Sequence, residues 1–303
     1  MGTPEFAVPS LNLLLKNREY NICAMVTKPD RPVGRKREII FSPVKFFAIE
    51  HGIRFYQPEK LKDNCNFFET LKNYNLDLII VIAYGKILPK EILEIPKLGC
   101  INVHGSLLPK YRGAAPIQWS IINGEKITGV TTMYMDEGMD TGDILLSEQT
   151  YIDQNETSGD LYKRLSKIGA NLLIKTLENL SNISRKKQNE AEATYCDIIK
   201  KNFSQIDWNN SAENVHNLVR GANPWPIAYT NFGNKILKIY KTKISNFEYQ
   251  KNKMAGKVVN VKPLVINCKF STLEILTVQP ESKKIMSALD FVNGNNIDLN
   301  TRF

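Results

Sequence analysis

The densest group of side chains able to do chemistry in this 303-residue chain is Asn102-Val103-His104, continued by Gly105-Ser106-Leu107-Leu108-Pro109 and Tyr111-Arg112-Gly113. In an extended backbone alternate side chains share a face, so Asn102 and His104 point one way and Val103 the other. A carboxamide and an imidazole aimed at one point can both donate to an oxyanion, the charge that develops when a nucleophile adds to a carbonyl. An acid could orient or charge such an imidazole and take up a proton. The candidate lies in Asp136-Glu137-Gly138-Met139-Asp140-Thr141-Gly142-Asp143, a loop rich in turn residues. Spacing does not choose among Asp136, Asp140 and Asp143, each of which also reads as an ordinary turn acid. On position alone His104 reads more readily as a buried, satisfied ring. No metal is called for, because His51, His104 and His216 do not form a ligand cluster.

The elements that must position these groups follow from hydrophobic patterning. Strand-like runs at Ile22–Thr27, Leu76–Ala83, Cys100–Val103, Val130–Met135 and Ile144–Ile152 alternate with amphipathic segments. That order predicts an α/β sheet with crossover helices, and ligands of such sheets bind at the carboxyl ends of strands, where Asn102 and His104 fall. Ser42-Pro43 predicts the start of a helix over Val44–His51. Thr157 and Asp160 are spaced as a capping box for a helix over Asp160–Leu180, whose face carries Leu161, Leu165, Ile168, Leu172 and Leu177. The polar, weakly periodic stretch that follows reads as a linker over 183–206. Beyond it, Ala212–Arg220 predicts a helix, and strands over Ile227–Phe232 and Lys235–Ile244 flank the hairpin signal Gly233-Asn234. Gly256–Val261, Leu264–Cys268 and Leu273–Val278 continue at the short spacing of a small barrel or sandwich. The expected domains are 1–182 and 207–303.

Composition narrows the class. A hydrophobic share of 43% with 23% charged residues is that of a soluble globular protein, and no run of apolar residues is long enough to span a membrane. The N-terminus does not read as a signal peptide. Five scattered cysteines without a Cys-x-x-Cys pair argue against a disulfide framework and for a reducing cytoplasm. The formal charge of +9 and pI near 9.1 raise the expectation of a polyanionic partner, although lysine richness throughout explains part of it.

The stretches GTPEFA, KPDRPVGR, AYGKILP, LGCINVHGSLLPKYRGAAPIQWSI, GVTTMYMDEGMDTGDIL and NPWP, in this order, resemble the methionyl-tRNA formyltransferase family over nearly the whole chain. The resemblance implies a Rossmann-like formyltransferase domain with a parallel-type sheet, followed by an oligonucleotide-binding-like β-barrel. It makes Asn102, His104 and Asp140 the catalytic trio. Ser106, Leu107, Leu108 and Pro109, with Tyr84 and Gly85, become the folate site. The implied reaction transfers the formyl group of 10-formyltetrahydrofolate to the α-amine of methionyl initiator tRNA, without a metal, in a cytoplasmic monomer.

Two features suit a tRNA. The loop Lys28-Pro-Asp-Arg31-Pro-Val-Gly-Arg35-Lys36-Arg37 gathers five cations, and by resemblance it meets the acceptor end, with Arg31, Arg35, Lys36 and Arg37 as contacts and Arg35 foremost. Lys235, Lys238, Lys241, Lys243, Lys251, Lys253, Lys257 and Lys262 follow one another with Glu248 as the single acid among them. On a barrel such a run can track phosphates; otherwise it is a solvated face. One departure stands out: the family has a short apolar strand immediately before GTPEFA, and here only Met1 precedes Gly2, so the first strand of the sheet is expected to be missing and the start to lie upstream. Of the rival readings, a dinucleotide enzyme lacks G-x-G-x-x-G. An RNA-binding module leaves the Asn102–His104 cluster unexplained. A folate enzyme acting on a sugar amine or on water leaves the basic C-terminal part unexplained.

Overall fold

The computed structural model describes residues 1–33 and 38–303, so Arg35, Lys36 and Arg37 lie outside the described residues. The chain forms two compact units. One holds Met1–Pro116, Thr128–Thr150 and Tyr162–Asp197, the other Ile117–Ile127, Tyr151–Leu161 and Ile198–Phe303.

In the first unit, β1 (Met25–Val26) and β2 (Phe55–Tyr56) form a parallel pair. A separate sheet holds β3 (Ile79–Val81), β4 (Cys100–His104), β5 (Ile127–Tyr134) and β6 (Ile144–Tyr151) in that order. β4 runs parallel to β3 and antiparallel to β5, so the sheet is mixed. Having a strand on each side leaves all five residues of β4 buried. Helix α1 (Val8–Lys16) packs near the chain start. α2 (Pro43–Glu50) begins where the sequence predicts, with Ser42 accepting from the Lys45 amide. α3 (Ser158–Glu178) opens on the predicted box, in which the Asp160 amide donates to Thr157 Oγ1. α3 can lie close to β4 because Gly169 faces Val103: an added Cβ there would meet Val103 Cγ1 at 3.0 Å. Val103 therefore points at the helix, and Asn102 and His104 point away from it.

Met1 and Gly2 lie between β1 and β3, with the Gly2 amide donating to Val26 O at 2.9 Å and the Ile82 amide donating to Met1 O at 2.9 Å. Beyond that bridge the two ladders do not meet among the described residues. The space between is a cavity of about 710 Å³ whose wall includes Leu11, Leu14, Met25, Leu78, Ile80 and Leu177.

In the second unit, α4 (Ala212–Gly221) is capped by Ser211. Strands β7 (Ala228–Phe232), β8 (Lys235–Ile244), β9 (Val258–Asn260), β10 (Val265–Cys268) and β11 (Ser271–Pro280) follow. They pair antiparallel along the path β7-β8-β11-β10-β9, around a core that includes Trp208, Val215, Leu237, Ile239 and Phe291. Among the described residues this path does not close on itself, so the sheet of the expected barrel is present while a closed ring is not part of the pairing. Register shifts flank Lys241 in β8. Leu237 and Ile239 are buried, and strict alternation would turn Lys241 and Lys243 inward with them. The bulge resets the phase, so Thr242 is buried and Lys238, Lys241 and Lys243 all face solvent.

Gly129 in β5 sits where no side chain fits: a Cβ would be 2.2 Å from Glu148 O and 2.5 Å from Leu107 Cδ2. Gly129→Ala is expected to cost about 3 kcal/mol or more, because a backbone atom cannot swing aside as a side chain can. A lowered urea midpoint with unchanged slope is the expected result. An unchanged midpoint contradicts this packing.

Candidate active site

β4 delivers Asn102 and His104, 8% and 6% exposed, to the face opposite α3. The acid that meets them is Asp140. Its Oδ1 lies 3.4 Å from Asn102 Nδ2, its Oδ2 lies 3.6 Å from His104 Nδ1, and the Gly113 amide donates to Oδ2 at 2.8 Å. Asp136, in the same loop, is used locally. Its Oδ1 accepts from the Gly138 amide and from Thr141 Oγ1, closing the turn that its sequence suggests. Asp140 itself adopts φ of +56°, a left-handed conformation that costs a non-glycine residue about 1 kcal/mol or more and persists only where the surroundings impose it.

The imidazole of His104 is fixed from its far side. Nε2 lies 2.9 Å from Tyr111 O, and a carbonyl can only accept, so Nε2 carries the proton and Nδ1 faces Asp140. Tyr111–Gly113 thus grips both partners, His104 through the Tyr111 carbonyl and Asp140 through the Gly113 amide. Sequence reasoning missed this segment as a holder of the site; the positive φ of Tyr111 and Gly113 that makes it possible is a tertiary property. The remaining histidines are occupied otherwise. His51 stacks on Phe47 and bonds its carbonyl, and His216 is bonded at both nitrogens, to Thr242 Oγ1 and Gln154 O. Burial lowers the pKa of His216, in keeping with a neutral structural ring. No group of three or more His, Cys, Asp or Glu able to hold a metal occurs among the described residues.

Ser106 to Pro109 leave the end of β4 in a loop pinned to β5, where Thr131 Oγ1 donates to Ser106 O at 2.8 Å and accepts from the Leu108 amide at 3.1 Å. Ser106 is buried and its hydroxyl donates to Lys110 O, while Leu107 and Pro109 are half-buried. Tyr84 and Gly85 follow β3, which leaves the sheet at the same edge as β4. The Tyr84 ring, however, packs in the apolar cluster with Val26, Leu88 and Ile92, and its hydroxyl has no hydrogen-bond partner among the described residues. Burial pushes that phenol up to about 12. Gly85 is exposed beside Lys28. Arg31 is exposed in a small antiparallel pair with Glu38–Ile40.

The formyl transferase family profile matches residues 1–177, and that of the formyl transferase C-terminal domain matches 198–296. The chain is 47% identical to the methionyl-tRNA formyltransferase of Ruminiclostridium cellulolyticum, over 98% of this chain and 96% of the relative. It is 48% identical to that of Clostridium beijerinckii, over 99% and 97%. Among solved structures, an N-formyltransferase from Helicobacter canadensis, in complex with folinic acid and dTDP-3-aminofucose, superposes with a TM-score of 0.66 at 23% identity, covering 92% and 97% of the two chains. A sugar 3N-formyl transferase crystallised with dTDP and 5-N-formyl-THF gives 0.65 at 23%, covering 93% and 97%. At that identity these two speak to the fold.

The carbonyl contact makes a spectroscopic prediction. ¹⁵N-detected NMR of the neutral His104 ring is expected to show the Nε2–H tautomer, with Nδ1 unprotonated. The Nδ1–H tautomer contradicts the assignment of Tyr111 O as the partner of Nε2.

Proposed function

The chain belongs to the methionyl-tRNA formyltransferase family, and we propose that Asn102, His104 and Asp140 are the residues through which it acts. It is a folate-dependent transferase that moves the formyl group of 10-formyltetrahydrofolate to the α-amine of methionyl initiator tRNA, giving N-formylmethionyl-tRNA for translation initiation. The observation that carries the assignment of residues is the meeting of one carboxylate with an amide and an imidazole from the neighbouring strand.

The chemistry follows from that meeting. The amine attacks the formyl carbon, and the carbonyl oxygen gains negative charge as the carbon becomes tetrahedral. Asn102 Nδ2, and His104 Nδ1 when the ring carries a second proton, both face the Asp140 carboxylate at distances longer than an ordinary hydrogen bond of about 2.9 Å, so neither donor is tightly committed. Each can turn to the oxyanion, and such a donor is worth about 10²–10³ in rate. His104 serves through Nδ1, because Nε2–H is held by the Tyr111 carbonyl. Asp140 orients the imidazole and, through a water, accepts the proton leaving the attacking nitrogen. Collapse of the tetrahedral carbon then breaks its bond to folate N10, which leaves with the proton that Asp140 had taken up, and the carboxylate is restored.

For the folate, the apolar, half-buried Leu107 and Pro109 offer a wall beside the trio, with Leu108 behind them. Ser106 supports this loop through its bond to Lys110 rather than offering a free hydroxyl. Tyr84 and Gly85 fit the same edge of the sheet, Tyr84 through its backbone, since its ring is in the core. For the tRNA we assign Arg31, Arg35, Lys36 and Arg37 to the acceptor end, and the outward lysines of β8 to the phosphates of the same molecule. We assign 1–182 to catalysis and 207–303 to tRNA binding, in a monomer working in the cytoplasm; free cysteines at 23, 65, 100, 196 and 268 suit that compartment.

Asn102→Ala, His104→Ala and Asp140→Ala are each expected to lower kcat about 10²–10³-fold with nearly unchanged Kd for methionyl-tRNA, read by formyl transfer and filter binding. Wild-type turnover by Asp140→Ala removes that residue from the mechanism. A second measurement addresses the lysine face. Affinity for tRNA is expected to fall steeply with salt, and the triple variant K238Q/K241Q/K243Q to flatten the log–log slope by about 0.7–0.9 for each phosphate it no longer neutralises. A slope identical to wild type places the tRNA elsewhere.

A further inference from the structure

The stretch between α3 and the second unit carries Gln188, which is 9% exposed and has a fully used carboxamide. Its Nε2 lies 2.8 Å from Asp140 O and 2.8 Å from Gly142 O, one N–H for each carbonyl, and its Oε1 accepts from Arg112 Nε at 3.0 Å. Arg112 is entirely buried. Its guanidinium forks onto both oxygens of Glu190, at 2.9 and 2.7 Å, and reaches the Tyr195 hydroxyl at 3.3 Å. The backbone is tied as well: the Arg112 amide donates to Thr194 O, and Lys186 pairs both ways with Ile144, just past the loop that bears Asp140.

These contacts close a circuit. Arg112 lies between Tyr111 and Gly113, whose backbone holds His104 and Asp140 on one side. Its own side chain leaves on the other side and fixes Gln188, which holds the main chain at the left-handed Asp140 and two residues beyond it. Only a primary amide supplies two donors and one acceptor at a single side-chain end. A carboxylate of the same shape would set one oxygen against both carbonyls.

We propose that Gln188, braced by Arg112 and Glu190, is a positioning residue for the formyl-transfer reaction, setting the reach of the Asp140 carboxylate to Asn102 and His104. This rests on the assignment of Asp140 above. Displacement of a reacting group by about 1 Å can cost 10²-fold in rate, while the surfaces assigned to folate and tRNA do not include Gln188.

The test is a cycle of single-turnover rates at saturating substrates in the full-length protein, for wild type, Gln188→Ala, Asp140→Ala and the double variant, with thermal unfolding recorded for each. The expected result is a fall of at least about 10-fold in rate for Gln188→Ala, with KM for 10-formyltetrahydrofolate and Kd for tRNA within about 3-fold of wild type. In the Asp140→Ala background the same change is expected to have no further effect. Gln188→Glu supplies a second readout: its rate relative to wild type should rise as pH falls, since a protonated carboxyl regains one donor. Wild-type rate in Gln188→Ala, or an equal loss with and without Asp140, overturns the positioning role. A fully active Asp140→Ala enzyme would instead overturn the assignment on which it rests.

Discussion

In the proposed site Asp140 presents its carboxylate, from a loop, to two side chains of a strand 38 and 36 residues earlier. Everything around the site serves that arrangement. β4 is the fixed member, buried between β3 and β5 and backed by α3 against Val103, so Asn102 and His104 have little freedom. The loop partner is brought to them by Tyr111–Gly113, a piece of backbone that bonds His104 with its carbonyl and Asp140 with its amide. A shift of this segment would move both members of the pair together. Burial adds to the effect, because in a low-dielectric pocket hydrogen bonds to charge are stronger and unpaired groups are more costly.

Much of the scaffold was legible in local sequence. Alternation in Asn102-Val103-His104 indicated the shared face, Ser42-Pro43 the start of α2, Thr157 and Asp160 that of α3, and Gly233-Asn234 the β7–β8 hairpin. Each is a relation between residues a few positions apart. The identity of the acid was not legible in that way. Asp136, Asp140 and Asp143 are chemically alike. Asp136 spends an oxygen on its own turn, while Asp140 is rotated inward by a left-handed backbone. Only the family resemblance chose among them. Gln188 lay hidden for a related reason: polar residues without periodicity read as linker, and their meaning comes from partners 46 to 76 residues away.

The strand limits show the same division. The run Ile22–Thr27 yields only Met25–Val26 as strand, because pairing requires a neighbour and β1 has Phe55–Tyr56 on one side and only Gly2 on the other. The lysines of β8 were visible as a cluster, but their common outward direction depends on a bulge that no alternation rule contains. In the assigned function that bulge lets one strand keep Leu237, Ile239 and Thr242 inward while Lys238, Lys241 and Lys243 face out. The proposed formyl-transfer site and the proposed tRNA surface thus rest on two local departures from regular backbone: the left-handed Asp140 and the bulge in β8.

The most direct test of the central claim is a crystal structure of the protein with 5-formyltetrahydrofolate, a stable analogue of the formyl donor. The account predicts the formyl oxygen within about 3.2 Å of Asn102 Nδ2 and His104 Nδ1, with Nε2 still on the Tyr111 carbonyl and Asp140 still on the Gly113 amide. A formyl group turned away from Asn102 and His104, with that geometry intact, would contradict it.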